Sequence, residues 1–482
     1  MTELDEDSKK VLQHINECIT NLEPIDYHTI NNYIPLINKI DQQYSDEFIP
    51  LITQLLSNNE AYMKVDPDGL LVQLLYKILS CLPFGIITNY FPIDYIIDNL
   101  FKDEEKGDSS IGLKIININI EQLETKQFLI DNNIIYRLLN EKYFNRSTSI
   151  SVLNQIESLI TSIQDHYSLL SQEYLQLYHR IRTQQDDTII LSRYLDYLIL
   201  ILPSILNNPI ESGYYQFNRS QILKYQDDPL FLILLVQFYE NIINKDPQHH
   251  LDILPSLNDL IELYMTDKLD DLVKLEIIDL VMKISYSNHP PYLNLLDHYQ
   301  LFKTYNLVKI HEHNELDIKL LSRTNPNIIN SLNDSIYDDI LVNISLFHDI
   351  LFFPILLNFI KSPITFMKLS HYFQHEKLQQ LPLDKLYTLL LIMSKHPHTK
   401  SYLFNYLPNT LTSLLEANIR NNELWNLKLL ILEQLLATSD DEHVEGYEFW
   451  KKEIRNVHDL MKFGKRFDRI IPSVDVTDEA AS

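Results

Sequence analysis

The chain has 482 residues, of which 66 are acidic and 40 basic, so its formal net charge is −26. Such a surface repels nucleic acid at long range, because non-specific affinity for DNA depends on lysine and arginine displacing counterions. Only 7 glycines occur, whereas parallel α/β folds with phosphate-binding loops need glycine at their tight turns. Direct DNA binding and a nucleotide-binding α/β fold are both disfavoured.

Apolar residues spaced three and four apart recur along the chain and predict α-helices throughout. Three short phrases open with an apolar residue and a proline, which fits the first turn of a helix because its missing N–H has no partner there. They are Ile49-Pro50, Leu254-Pro255 and Leu407-Pro408. A second apolar helix follows each, over residues 68–81, 269–285 and 421–436. Helix pairs recurring about every forty residues predict an all-α solenoid of the HEAT or armadillo kind.

The apolar pattern predicts eleven helical segments, which group the chain into four parts. In chain order they cover residues 8–21, 27–56, 68–101, 111–140, 149–170, 171–206, 230–244, 251–285, 316–360, 383–436 and, as a capping helix, 444–463. Residues 1–206 are predicted to form N-terminal helical repeats and residues 230–470 C-terminal repeats with the capping helix. Pro209 and Gly213 indicate an irregular break over 207–229. Residues 471–482 are acidic and poor in apolar side chains, so we expect them to be disordered.

No recognisable catalytic motif occurs in the sequence, which has no phosphate loop, dinucleotide fingerprint or nucleophile elbow. His371 and His375 stand at i and i+4 of a predicted helix, the spacing of a zinc-binding pair. The glutamate that a zinc protease carries beside its first histidine is missing, and an ordinary helix face explains the pair better. We therefore expect no enzymatic activity, no metal and no cofactor.

The cysteines and apolar runs indicate the compartment. Cys18 and Cys81 cannot build a disulfide framework, which favours a reducing environment. The first residues are acidic where a secretory signal is basic and then apolar. The apolar runs are shorter than the ~18 residues that a membrane span requires. These patterns predict a soluble intracellular protein that is cytoplasmic and also nuclear.

Pairs of adjacent aspartates recur at predicted turns. Just before a helix, an aspartate caps free N–H groups and meets the positive end of the helix dipole, so helix capping explains the pairs better than acid–base chemistry. A line of acidic turns along one edge of a solenoid would also suit a basic partner. The pairs are Asp186-Asp187, Asp227-Asp228, Asp270-Asp271, Asp338-Asp339 and Asp440-Asp441.

Residues 381–415 carry a family resemblance. The matching features are Leu381-Pro382, Thr399-Lys400 leading into Leu403, Leu407-Pro408 and Ser413-Leu414-Leu415, with a weaker match over 70–100. This region resembles the yeast proteasome-assembly chaperones that bear the name of DNA mismatch repair proteins, relatives of the 26S proteasome non-ATPase regulatory subunit 5. The resemblance implies a C-shaped solenoid that chaperones assembly of the regulatory particle base. It also implies an indirect link to DNA repair.

The resemblance also implies the partners. They are the C-terminal domain of one ATPase subunit of the base and an associated scaffold subunit, and the chaperone leaves on maturation. Because helical repeats contact only their neighbours, we expect the protein itself to be a monomer. Weak candidates for partner contacts are Asp338 and Asp339 as charges and Tyr337, Phe373, Tyr387 and Trp425 as apolar anchors. An aromatic at helical spacing usually packs inward, which favours a core role for these rings. The alternatives are another HEAT-type transport or scaffolding adaptor and a repair factor acting directly on DNA, the latter opposed by the charge.

Overall fold

The computed structural model describes residues 3–37, 42–102, 110–164, 168–184, 186–248, 250–266, 268–338, 352–437 and 447–464. Within these ranges the regular secondary structure is helical, with no strand. The predicted all-α helical-repeat solenoid is confirmed. The chain forms two compact units, Met1–Pro255 and Ser256–Ser482. We call them unit 1 and unit 2.

Unit 1 contains helices α1 to α16 and the first two residues of α17, which crosses the boundary after Pro255. They are α1 (Glu3–Asn21), α2 (Tyr27–Tyr33), α3 (Gln42–Leu56), α4 (Asn59–Val65), α5 (Leu70–Leu79), α6 (Phe84–Tyr90), α7 (Ile93–Phe101), α8 (Ser110–Ile118), α9 (Leu123–Asp131), α10 (Ile134–Arg137), α11 (Ile150–Ile163), α12 (Gln172–Gln184), α13 (Thr188–Leu200), α14 (Leu202–Asn207), α15 (Arg219–Lys224), α16 (Pro229–Lys245) and α17 (Leu254–Met265). A π-helical turn, Leu138–Tyr143, follows α10 directly.

Unit 2 contains the rest of α17 and the remaining helices, on the same plan. They are α18 (Asp271–Tyr286), α19 (Pro290–His298), α20 (Glu315–Arg323), α21 (Pro326–Leu332), α22 (Phe352–Phe359), α23 (Pro363–Leu369), α24 (His375–Leu378), α25 (Leu383–Lys395), α26 (Pro397–Tyr406), α27 (Pro408–Glu416), α28 (Asn422–Leu436) and α29 (Tyr447–Phe463). The predicted second helices match α5, α18 and α28, and the predicted capping helix matches α29.

Successive helices of one layer pack side by side. In unit 1, α5, α8, α11, α13 and α16 each contact the next, and in unit 2 the series α18–α20–α22 and α25–α28–α29 do the same. The apolar stripe of each helix faces the core, as in Leu74, Ile156 and Leu235, all fully buried. Hydrogen bonds between repeats join residues 40 positions apart, for example Asn133 to Glu173 and Asn325 to Ser285. The forty-residue repeat predicted from the apolar pattern is therefore also seen in the hydrogen bonds between helices.

Two buried asparagines join neighbouring segments in unit 2. The Asn358 side-chain amide donates to the carbonyls of Leu321 (2.9 Å) and Thr324 (2.7 Å), at the end of α20. The Asn333 amide donates to the carbonyls of Phe302 (2.7 Å) and Tyr305 (2.8 Å). The last carbonyls of a helix have no partner within it, and the Asn358 amide supplies one at the end of α20. The Asn333 amide adds a second hydrogen bond to the Phe302 carbonyl, which also accepts from the Tyr305 N–H.

The prediction that each apolar–proline phrase begins a helix is confirmed for two of the three phrases and wrong for one. Helix α17 begins at Leu254 and α27 begins at Pro408. Pro50, in contrast, lies inside α3. The preceding Phe48 and Ile49 are 0% and 1% exposed, so the turn before the proline is held by core packing. Burial of those two side chains outweighs the missing hydrogen bond and the steric clash of the ring.

The remaining expectations concern linkers, thiols and membrane segments. Residues 207–229 hold a 3-10 turn, Ser212–Tyr214, and helix α15, while the boundary between the compact units lies further on, after Pro255. The predicted tail 471–482 lies outside the described residues. Cys18 and Cys81 are free thiols. In the part of the chain that the structure describes, no helix is long and apolar enough to cross a membrane.

Candidate protein-binding surface

Three of the predicted aromatic anchors belong to the core. Tyr337, Phe373 and Tyr387 are 9%, 1% and 2% exposed. The Phe373 ring lies 5.5 Å from that of Phe366, and the Tyr337 ring 6.0 Å from that of Phe359. Burial raises the pKa of the Tyr337 and Tyr387 phenols, because the charged form loses its hydration there. In this structure the three rings stabilise the fold and offer no surface to a partner.

Two of the other predicted contact residues are accessible. Asp338 is exposed, and its backbone carbonyl accepts a hydrogen bond from the Asn306 side chain at 3.4 Å. Trp425 is half-buried on α28. Asp339 lies outside the described residues. Among the predicted contacts, Asp338 is therefore the charge and Trp425 the ring that a ligand can reach.

Most of the paired aspartates act at helix ends, as predicted. Asp187, Asp228 and Asp270 accept hydrogen bonds from the free N–H groups at the starts of α13, α16 and α18. Of their neighbours, Asp186 forms an ion pair with Lys224 and Asp271 with Lys274. Asp440-Asp441 lies outside the described residues. These turns therefore use much of their negative charge inside the protein.

A different set of carboxylates lies on helix faces in unit 1. Glu157 on α11 accepts a hydrogen bond from the Tyr143 phenol at 2.9 Å. Asp196 on α13 is accessible to solvent, but the surrounding protein partly desolvates its carboxyl, and this desolvation, followed by the negative charge of Glu157, raises the pKa of that group. Among the described residues, neither carboxylate forms an ion pair. Two neighbouring negative charges without a cation attract a cationic group from outside.

Glu240 on α16 is the next acidic residue at the same spacing in sequence, and its side chain has an interaction of its own. It follows Asp196 by about one repeat length, as Asp196 follows Glu157, and the three helices pack successively. We call Glu157, Asp196 and Glu240 the acidic row. A search of the sequence for acidic residues recurring at the repeat length inside apolar helices could have found it. The search for adjacent aspartates missed it, because these carboxylates are single in sequence.

An exposed apolar patch lies on α23 and α26 in unit 2. Ile364, Met367 and Tyr406 are 53%, 74% and 71% exposed. The Tyr406 ring stacks on that of Tyr402 at 4.9 Å, and the Tyr402 phenol donates to the Ser370 carbonyl at 2.8 Å. Ile364, Met367, Tyr402 and Tyr406 form what we call the apolar patch. Methionine and tyrosine are enriched in the cores of protein interfaces, and grouped exposure of large apolar side chains is typical of binding sites.

The histidine pair departs from its predicted geometry. His371 lies in a 3-10 turn, Ser370–Tyr372, whereas His375 begins α24 after two non-helical residues. They do not share one helical face, so that prediction is wrong. His375 Nδ1 lies 3.1 Å from the Thr410 hydroxyl oxygen. Within the described residues, no group of three or more histidines, cysteines or acidic side chains could hold a metal ion.

The stacked helix pairs define a helical-repeat protein. Residues 9–244 match the family "DNA mismatch repair protein HSM3, N terminal domain", and residues 249–481 match "DNA mismatch repair protein HSM3, C terminal domain". The chain belongs to the HSM3 family. This confirms the family recognised from residues 381–415.

Three relatives named DNA mismatch repair protein HSM3 match nearly full length. The protein from Candida albicans is 44% identical, over 99% of this chain and 100% of the relative. The one from Scheffersomyces stipitis is 35% identical over 99% and 98%, and that from Debaryomyces hansenii 33% identical over 99% of each. Their common name refers to DNA mismatch repair and mentions no binding partner.

Proposed function

We propose that this protein is a non-enzymatic chaperone for assembly of the 26S proteasome regulatory particle base. It holds the C-terminal domain of one ATPase subunit, together with an associated scaffold subunit, and leaves on maturation. Membership of the HSM3 family and the resemblance over residues 381–415 support this assignment. The protein acts as a monomer in the cytoplasm and the nucleus, and its link to mismatch repair is indirect.

The acidic row is the observation that carries the proposal. It places Glu157 and Asp196 close enough to interact, without a cation among the described residues, and the charge of Glu157 adds to partial desolvation in raising the pKa of the Asp196 carboxyl. A lysine or arginine of a partner would reduce their mutual repulsion and would be attracted during the encounter. DNA, which is itself polyanionic, would be repelled by the same charges.

The apolar patch offers a protein-binding surface within unit 2. Charge mainly raises the rate of association, whereas desolvated aromatic and apolar side chains supply most of the affinity. Met367 and Tyr406 are the most exposed members of the patch. They have the flexible thioether and the amphipathic ring that interface cores favour. We therefore assign electrostatic steering to the acidic row and apolar anchoring to the apolar patch, each considered within its own unit.

Binding kinetics test the charge assignment. The double variant Glu157→Gln/Asp196→Asn keeps a group that can accept the Tyr143 hydrogen bond while it removes both charges. We expect slower association with a basic ATPase C-terminal domain, a weaker salt dependence and a nearly unchanged dissociation rate. Asp338→Asn is the matched control, because it removes one exposed acid of unit 2. If the control slows association and the double variant does not, the Asp338 edge contacts the partner instead of the acidic row.

The partner itself is tested with the isolated C-terminal domains of all the base ATPases. Binding to one of them, with association that slows as salt rises, is the expected result. Failure of every domain to bind would overturn the proteasome assignment. Affinity purification of the full chain followed by mass spectrometry covers the alternative HEAT-type adaptor. That alternative requires transport or scaffolding factors to be recovered in place of base ATPases.

A further inference from the structure

A pocket of about 310 Å³ lies in the last repeat of unit 2. It is bounded by the turn after α27, by α28 and by α29. Its walls are mainly apolar, with Ile419, Trp425, Val457, Leu460 and Met461, and the exposed polar residues Glu416 and Asn418 lie at its margin. Its size is at the lower end of the range for small-molecule sites, so it fits a group of several carbon atoms and not a protein domain.

One cation is buried at this pocket. Lys428 lines it and is only 3% exposed. Its Nζ donates to the backbone carbonyls of Leu415 at 3.0 Å and Ala417 at 2.8 Å, at the C-terminal end of α27. An ammonium group has three N–H donors. Among the described residues, only these two carbonyls accept from the Lys428 ammonium group, which leaves its third N–H without an acceptor there.

Lys428 also lacks a counter-ion in the described part of the chain. Burial lowers the pKa of its amine to about 8, and no carboxylate charge opposes this effect. A buried charge is destabilising unless it is paired and hydrogen-bonded. The carbonyls of Leu415 and Ala417 provide hydrogen bonds and partial negative charge, but no full negative charge. An anion in the pocket would provide one.

We propose that this pocket binds an apolar carboxylate. The carboxylate accepts the remaining N–H of Lys428 in a charge-assisted hydrogen bond, while the attached aliphatic or aromatic group packs against Trp425 and the apolar face of α29. A peptide C-terminus with an apolar last side chain and a free fatty acid share this chemistry. The site belongs to unit 2 alone and does not depend on the proposed chaperone function.

Tryptophan fluorescence provides the assay. The sequence has two tryptophans, and Trp450→Phe in the full-length chain leaves Trp425 as the only one. Octanoate is compared with octanamide, and N-acetylleucine with N-acetylleucinamide, so that each pair keeps the apolar group and replaces the carboxylate by a neutral amide. We expect each acid to bind about tenfold or more tightly than its amide. The octanoate pair represents a fatty acid and the leucine pair a chain terminus, and the tighter acid identifies the source.

Two variants in the Trp450→Phe background locate the site. Lys428→Met keeps the aliphatic stem and should abolish the preference for the acids. Lys462→Met changes a lysine of α29 that is exposed and paired with Glu433, and it should leave the preference unchanged. Val457→Phe fills the pocket and should weaken both the acid and the amide. Equal affinity for octanoate and octanamide would overturn the proposal. An undiminished preference for the acids in Lys428→Met would also overturn it. If Lys428→Met fails to fold, unchanged affinity for octanoate in Val457→Phe would overturn it instead.

Discussion

Asn358→Leu tests how strongly one repeat is joined to the next. Asn358 is 1% exposed on α22, and its amide donates to the carbonyls of Leu321 and Thr324. Leucine has a similar volume and would fill the same space, so little cavity forms. The substitution therefore removes two hydrogen bonds and leaves two carbonyl groups buried without these partners.

The expected loss of stability follows from those two bonds. Each contributes about 1 kcal/mol net, and a buried acceptor left without a partner costs about 1–3 kcal/mol. Leucine recovers part of this through its extra apolar surface, at about 25 cal/mol per Å². We expect the free energy of unfolding of unit 2 to fall by roughly 2–4 kcal/mol.

Urea unfolding followed by circular dichroism measures the change, and hydrogen exchange locates it. Faster exchange should appear at the end of α20 and in α22, because Asn358 connects them. Asn426→Leu is the control, since Asn426 is exposed on α28, and it should change stability by less than about 0.5 kcal/mol. A loss below about 1 kcal/mol for Asn358→Leu, or exchange that accelerates uniformly, would refute the role assigned to these bonds.

Two further predictions concern unit 1. The raised pKa of Asp196 in the folded protein means that its favourable contribution is complete below the unfolded pKa of about 4 and is lost as pH rises through the folded pKa. Asp196→Asn should therefore match the parent melting temperature near pH 3 and exceed it at pH 7, and an equal difference at both would contradict a raised pKa for the Asp196 carboxyl. Arg182 stacks on the Phe217 ring and donates to Gln216 and Gln221 at 2.7 and 2.9 Å. Arg182→Lys should lower the free energy of unfolding by about 2–3 kcal/mol in urea. No measurable loss would show that the planar guanidinium group is not required there.

The residues close together in sequence were sufficient to predict where several helices begin. Asp187, Asp228 and Asp270 were predicted to cap helices, and they do. A cap depends on a side chain and on N–H groups two or three residues away, so neighbours in sequence determine it. The apolar period likewise identified α5, α18 and α28, and short motifs over residues 381–415 identified the family.

Tertiary structure decided what depends on residues about forty positions away. Pro50 lies inside a helix because Phe48 and Ile49 are buried by packing with other helices. Tyr387 is buried while Tyr406 is exposed, although both stand in apolar helices. Glu157 and Asp196 act on each other only because α11 packs against α13. Helical periodicity shows which side chains share a face, but the neighbouring repeat determines which of those faces is covered, and that depends on contacts between residues far apart in sequence.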